Sequence, residues 1–174
     1  INPDLVIDVN LSYTQISQAR FRDVLQDLLK ETAYPAKNLC LELTESCRNL
    51  NVKLLREEVS FYKSLGVKIA IDDFGTGSSC LALLRDLPNV DCLKLDQSFI
   101  LNLPNNNIDQ HIVDAFVQCA NNLHMSVCLE GVENKFIKTL VEKYKVTSHQ
   151  GYLYSRPVSV EKYIELLTQK TINL

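Results

Sequence analysis

Short apolar runs alternate with longer amphipathic stretches along the whole chain. Six runs read as strands: "LVIDVNL" (Leu5 to Leu11), "NLCLELTE" (Asn38 to Glu45), "VKIAIDD" (Val67 to Asp73), "VDCLKLD" (Val90 to Asp96), "SVCLEGV" (Ser126 to Val132) and "SHQGYLY" (Ser148 to Tyr154). Helical patterns follow them near Ser17 to Thr32, Val52 to Leu65, Ser79 to Asp86, Ile108 to Leu123, Asn134 to Lys143 and Val160 to Gln169. The second of these is explicit. Leu54, Leu55, Val59, Tyr62 and Leu65 recur near a 3.6-residue period and form one stripe. Gly66 then suits a helix C-terminus that needs positive φ. The loosest loop is "LNLPNNNID" (Leu101 to Asp109).

The strand runs are nearly continuous in apolar residues, broken mainly by Lys68 and Lys94. That suits parallel strands covered on both faces. Strands alternating with helices predict right-handed βαβ units. An open doubly wound sheet and a (β/α)₈ barrel both fit this order. A barrel has eight units and about 250 residues. Six units in 174 residues therefore predict an α/β, TIM-like barrel incomplete at its N-terminus, in one partial domain spanning the chain.

The strand ends favour the barrel. Asn10 ends the first run. Glu42 and Glu45 lie on the second, Asp72 and Asp73 end the third, and Lys94 and Asp96 lie on the fourth. Glu130 and Glu133 follow the fifth, and Gln150 lies in the sixth. In a parallel barrel these ends share the face where active sites are built. Any one acid here could instead cap a helix, most plausibly Asp96 and Glu133. Capping fails as an account of the whole set, because Glu42 and Lys94 sit inside apolar runs, where an unpaired charge is costly. Acids gathered at one rim point to a hard divalent cation with oxygen ligands. Such a cation would hold the adjacent Asp72 and Asp73 together.

Composition narrows the function classes. The net charge is −3, from 18 basic and 21 acidic residues, so no general attraction to DNA, RNA or anionic membranes is expected. No apolar run reaches the ~18 residues of a membrane span. The first residue is Ile1, and the chain reads as a segment of a longer protein. Six cysteines form no C-x-x-C pair, and Cys40, Cys92 and Cys128 lie in strand runs. Reduced thiols in the cytoplasm are the expectation. "DFG" lacks the other kinase motifs, and "GTG" lacks the lysine of a P-loop. Gly75 and Gly77 are expected to turn the loop sharply. His111 and His124 carry no metal-ligand spacing, and His149 stands beside Gln150.

The ordered segments "DVNLS", "LELTES", "IAIDDFGTG", "LKLDQSF", "CLEGVEN" and "HQGYLYSRP" resemble the EAL-domain phosphodiesterases, which hydrolyse the bacterial second messenger cyclic di-GMP. The resemblance implies that Asn10, Glu42, Asp72 and Asp73 ligate Mg²⁺ or Mn²⁺, two ions in active forms. It implies that Lys94 lies beside the attacking water and that Glu130 is the general base. Gln150 becomes a polar contact near metals and substrate, and Glu45 the anchor of the loop after "DDFG". It further implies a homodimer and an upstream sensory or GGDEF-type domain. The name-giving E-A-L segment is absent from this chain, and Ser78 stands where the family commonly has Tyr. A catalytically inactive receptor or scaffold for cyclic di-GMP is the alternative.

Overall fold

A computed structural model gives the fold and describes residues 5–18, 20–44, 47, 51–76, 80–87 and 89–168. The chain divides into two compact units. One holds Val6–Lys94, and the other holds residues 95–168 with Leu5.

In the first unit, strands β1 (Ile7–Leu11), β2 (Leu39–Leu43) and β3 (Lys68–Phe74) pair in parallel in chain order, and most of β4 (Cys92–Leu95) follows. Register fixes which residues share a face. Asn10 pairs with Glu42, and Glu42 with Ala70. Side chains alternate along a strand. One face therefore carries Leu39, Leu41, Leu43, Ile69 and Ile71, all buried. The other carries Asn10, Cys40, Glu42, Ala70 and Asp72. Strand β2 is buried throughout, Glu42 included, as its largely apolar run predicts. β1 is not: Ile7 and Val9 are 41% and 43% exposed, so coverage on both faces fails at this edge strand.

The helices of this unit are α1 (Tyr13–Ile16), α2 (Arg20–Thr32), α3 (Val52–Ser64) and α4 (Cys80–Asp86), with a 3₁₀ turn at Ala36–Asn38. α1 is an element the apolar period misses, because four residues complete barely one turn. Ser12 and Gln15 cap it reciprocally. α3 buries Leu55, Val59 and Tyr62 of its expected stripe, and also Glu58. That carboxylate accepts from the Arg22 guanidinium at 2.7 Å and from the Tyr62 hydroxyl at 3.0 Å. Beyond α3, Gly66 adopts φ +87° as expected.

The second unit contains α5 (Gln97–Asn102), α6 (Asn107–Asn122), β5 (Ser126–Leu129), α7 (Lys135–Val141), β6 (Ser148–His149) and α8 (Val160–Thr168). α5 again is too short to show a period, and its signal is the cap: Asp96 accepts from Ser98 N–H at 2.9 Å. β5 and β6 are parallel, with Leu129 opposite His149. β6 is far shorter than its apolar run suggests. Ile100, Val113, Val117, Ala120, Val127, Leu129 and Ile137 form the core here. Among the described residues Cys40, Cys47, Cys92, Cys119 and Cys128 are free thiols, as expected. No described helix is long and apolar enough to cross a membrane.

Glu58→Ala strips the Arg22 guanidinium and the Tyr62 hydroxyl of their shared acceptor. It should lower unfolding free energy by about 2–3 kcal/mol, read from urea denaturation.

Candidate active site

Each unit carries polar side chains at its strand ends. In the first unit Lys94 is 5% exposed and Glu42 5% exposed, so a full charge pair sits in the protein interior. Lys94 Nζ lies 2.7 Å from Glu42 Oε1 and 2.9 Å from Asp72 Oδ1. One ammonium thus serves two carboxylates on two neighbouring strands. Asp72 Oδ1 is buried, and despite this closeness it receives no well-directed hydrogen bond. Burial pushes the Glu42 carboxyl above the usual range, and the bond and charge of Lys94 only partly oppose that.

Asp73 completes the group by a backbone device. Adjacent strand residues normally point to opposite faces. Asp73 departs from strand geometry with φ +52°, a region a non-glycine residue seldom enters. A carboxylate oxygen of Asp73 comes within 4.8 Å of one of Asp72. Strain of this kind costs on the order of 1–3 kcal/mol and concentrates at functional sites. Gly75 follows at φ +102°, turning the chain as expected. Gly77, Ser78 and Glu45 lie outside the described residues.

The donor set suits a hard divalent cation. Asn10 offers an amide oxygen in register with Glu42, Glu42 and Asp72 share one buried ammonium, and Asp73 adds a carboxylate beside Asp72. Oxygen ligands with excess negative charge are what magnesium or manganese takes.

In the second unit Glu130, Glu133 and Gln150 line one hollow of about 290 Å³, together with Gln97, Gly131, Tyr152 and Pro157. Gln97 and Tyr152 are contributors that the strand-end pattern alone does not single out, though both lie inside the motifs that carry the family resemblance. Glu130 is half-buried, whereas Glu133 and Gln150 are exposed. Two expectations of capping separate here. Asp96 does cap α5. Glu133 does not cap α7; Asn134 does, accepting from Ile137 N–H at 2.9 Å. His149 lies outside the hollow's lining, near the Tyr154 hydroxyl at 3.4 Å, and burial lowers its pKa.

Residues 2–157 match the family model of the EAL domain. The chain is 40% identical over 149 residues to the cyclic di-GMP phosphodiesterase PdeF of Escherichia coli strain K12, covering 86% of this chain and 20% of PdeF. It is 36% identical over 163 residues to the cyclic di-GMP phosphodiesterase NbdA of Pseudomonas aeruginosa, covering 94% of this chain and 21% of NbdA. The crystal structure of the EAL domain of Mycobacterium smegmatis DcpA superposes with a TM-score of 0.90 at 33% identity, covering 97% of this chain and 75% of that one. The α/β, TIM-like fold class is that of these domains. The chain spans about a quarter or less of the curated relatives it matches, 20% to 27% of their lengths in the cases of PdeF and of an uncharacterized Mycobacterium tuberculosis protein.

Lys94→Met leaves Glu42 and Asp72 without their cation. The buried Glu42 carboxyl, already above its usual range, then loses the charge that opposed the rise, so the native state holds an extra proton and loses stability as pH rises. In metal-free protein the variant should be less stable than wild type by about 3 kcal/mol at pH 8, with a smaller gap at pH 5. Denaturation at the two pH values measures this.

Proposed function

This chain belongs to the EAL domain family, and from that membership we propose that it supplies the catalytic core of a metal-dependent hydrolase acting on cyclic di-GMP. The observation that carries the proposal is the buried Glu42–Lys94–Asp72 arrangement, whose charge a single ammonium does not balance.

In this reading Asn10, Glu42, Asp72 and Asp73 hold magnesium or manganese. A cation held there would neutralise the phosphodiester and lower the pKa of the attacking water. Lys94 is fixed by two carboxylates, and its charge is already in place when negative charge grows on the phosphoryl oxygens. Glu130 accepts the proton that water loses as its oxygen bonds to phosphorus. The P–O bond to one ribose breaks, the departing alkoxide is protonated, and the product is the linear dinucleotide. Gln150 and Glu133, exposed at the rim of the hollow, contact substrate. Asp96 supports the site indirectly, because its carboxylate caps α5. Homodimerisation and an upstream sensory or GGDEF-type domain belong to the same proposal, as does a cytoplasmic location.

A receptor without turnover is the second reading. The intact Glu130 and Lys94 favour catalysis, since a pure binder needs neither a base nor a fixed cation. The full-length protein with magnesium should cleave cyclic di-GMP. Glu130→Gln should slow it by roughly 10³-fold or more, and a chelator should stop it. Calorimetry showing tight cyclic di-GMP binding with no product would select the receptor instead.

A further inference from the structure

We infer that Gly131 and Gly151 are positioning residues that lock the backbone bearing Glu130 to the backbone bearing Gln150, so that both side chains are placed by one joint. The inference rests on the reading of these two residues as base and substrate contact.

Val132 is the centre of the joint. Its N–H donates to the Gln150 carbonyl at 3.0 Å, and its own carbonyl accepts from Leu153 N–H at 3.0 Å. On the strand side Gln150 N–H donates to the Leu129 carbonyl at 2.9 Å, and Glu130 N–H donates to the Leu95 carbonyl at 3.2 Å. Glu130 and Gln150 are thus each tied at the main chain, and Val132 is fully buried.

This approach is possible only without side chains. A Cβ on Gly151 would lie 2.2 Å from the Val132 carbonyl oxygen and 2.4 Å from its nitrogen. Those are backbone atoms of the joint itself, so they cannot swing aside as a side chain could. A Cβ on Gly131 would lie 2.5 Å from Gln97 Cβ and 3.0 Å from Gln97 Cα, and φ there is +80°. Gly131 is the residue next to Glu130, and Gly151 the residue next to Gln150. Pushing either loop outward moves a reacting or substrate-contacting group by the clash distance. A displacement near 1 Å costs about 10²-fold in rate when geometry is what the site supplies.

A matched control exists in the other unit. Gly66 also has positive φ, +87°, but a Cβ there meets only Ala36 Cβ at 3.8 Å. Gly66→Ala carries the backbone strain without the clash, in the unit that does not contain Glu130.

The test uses the full-length protein. Gly131→Ala should lower kcat about 10²-fold with KM little changed, Gly151→Ala should lower kcat and also raise KM because it displaces Gln150, and Gly66→Ala should keep kcat. Amide hydrogen exchange should quicken at Val132, Gln150 and Leu153 together in both site variants. Gln97→Gly combined with Gly131→Ala, which removes the nearest clashing atom, should recover part of the lost rate and carries the decision if Gly151→Ala does not fold. Unchanged kcat in Gly131→Ala, or faster exchange confined to the mutated loop, overturns the inference. If the wild-type protein does not cleave cyclic di-GMP, the functional reading falls, and the exchange pattern alone decides whether the two loops move as one.

Discussion

Two carboxylates and one ammonium, all inside the protein, set the terms for the first unit. Burying Glu42, Asp72 and Lys94 is costly unless each finds an opposite charge. Lys94 reaches both acids because parallel register brings Glu42 and Asp72 onto one face of adjacent strands. Burial still holds the Glu42 carboxyl above its usual range, and Lys94 opposes this only in part. A fold selected for stability alone would do better with apolar residues here. An arrangement that retains excess negative charge in a region of oxygen donors is suited to receiving a cation.

The second unit solves a different problem. Its polar groups, Glu130, Glu133 and Gln150, stand on loops after short strands, where no regular ladder holds them. Precision comes instead from main-chain bonds around Val132 and from glycines that admit close backbone approach. Asp73 in the first unit shows the related device of a strained φ, which lets neighbouring residues serve one purpose. In both units backbone conformation helps to set where these side chains lie.

Much of this was legible from the residues. All six strands follow from short apolar runs, with β6 shorter than its run, and the longer helices follow from apolar period, because burial of a face leaves a pattern in sequence. Lys94 and Glu42 announced themselves as charges within apolar runs. α1 and α5 left no period, being one or two turns long, yet Ser12, Gln15 and Asp96 carried their capping chemistry in plain view. The exposure of β1 was not legible, since Ile7 and Val9 look like any buried strand residues until the neighbours are known.

The sequence by itself determined the parallel βα order, the placement of polar residues at strand ends and the family to which those motifs belong. These depend on local spacing, which a linear chain records. Only the tertiary structure decided that one lysine serves two acids, that Asn134 rather than Glu133 caps α7, and that Gly131 and Gly151 close against Gln97 and Val132. The lysine and glycine contacts join residues 19 to 52 positions apart in the chain and exist only once strands have chosen their register, whereas the α7 cap is a local choice between two neighbours settled by where the helix starts.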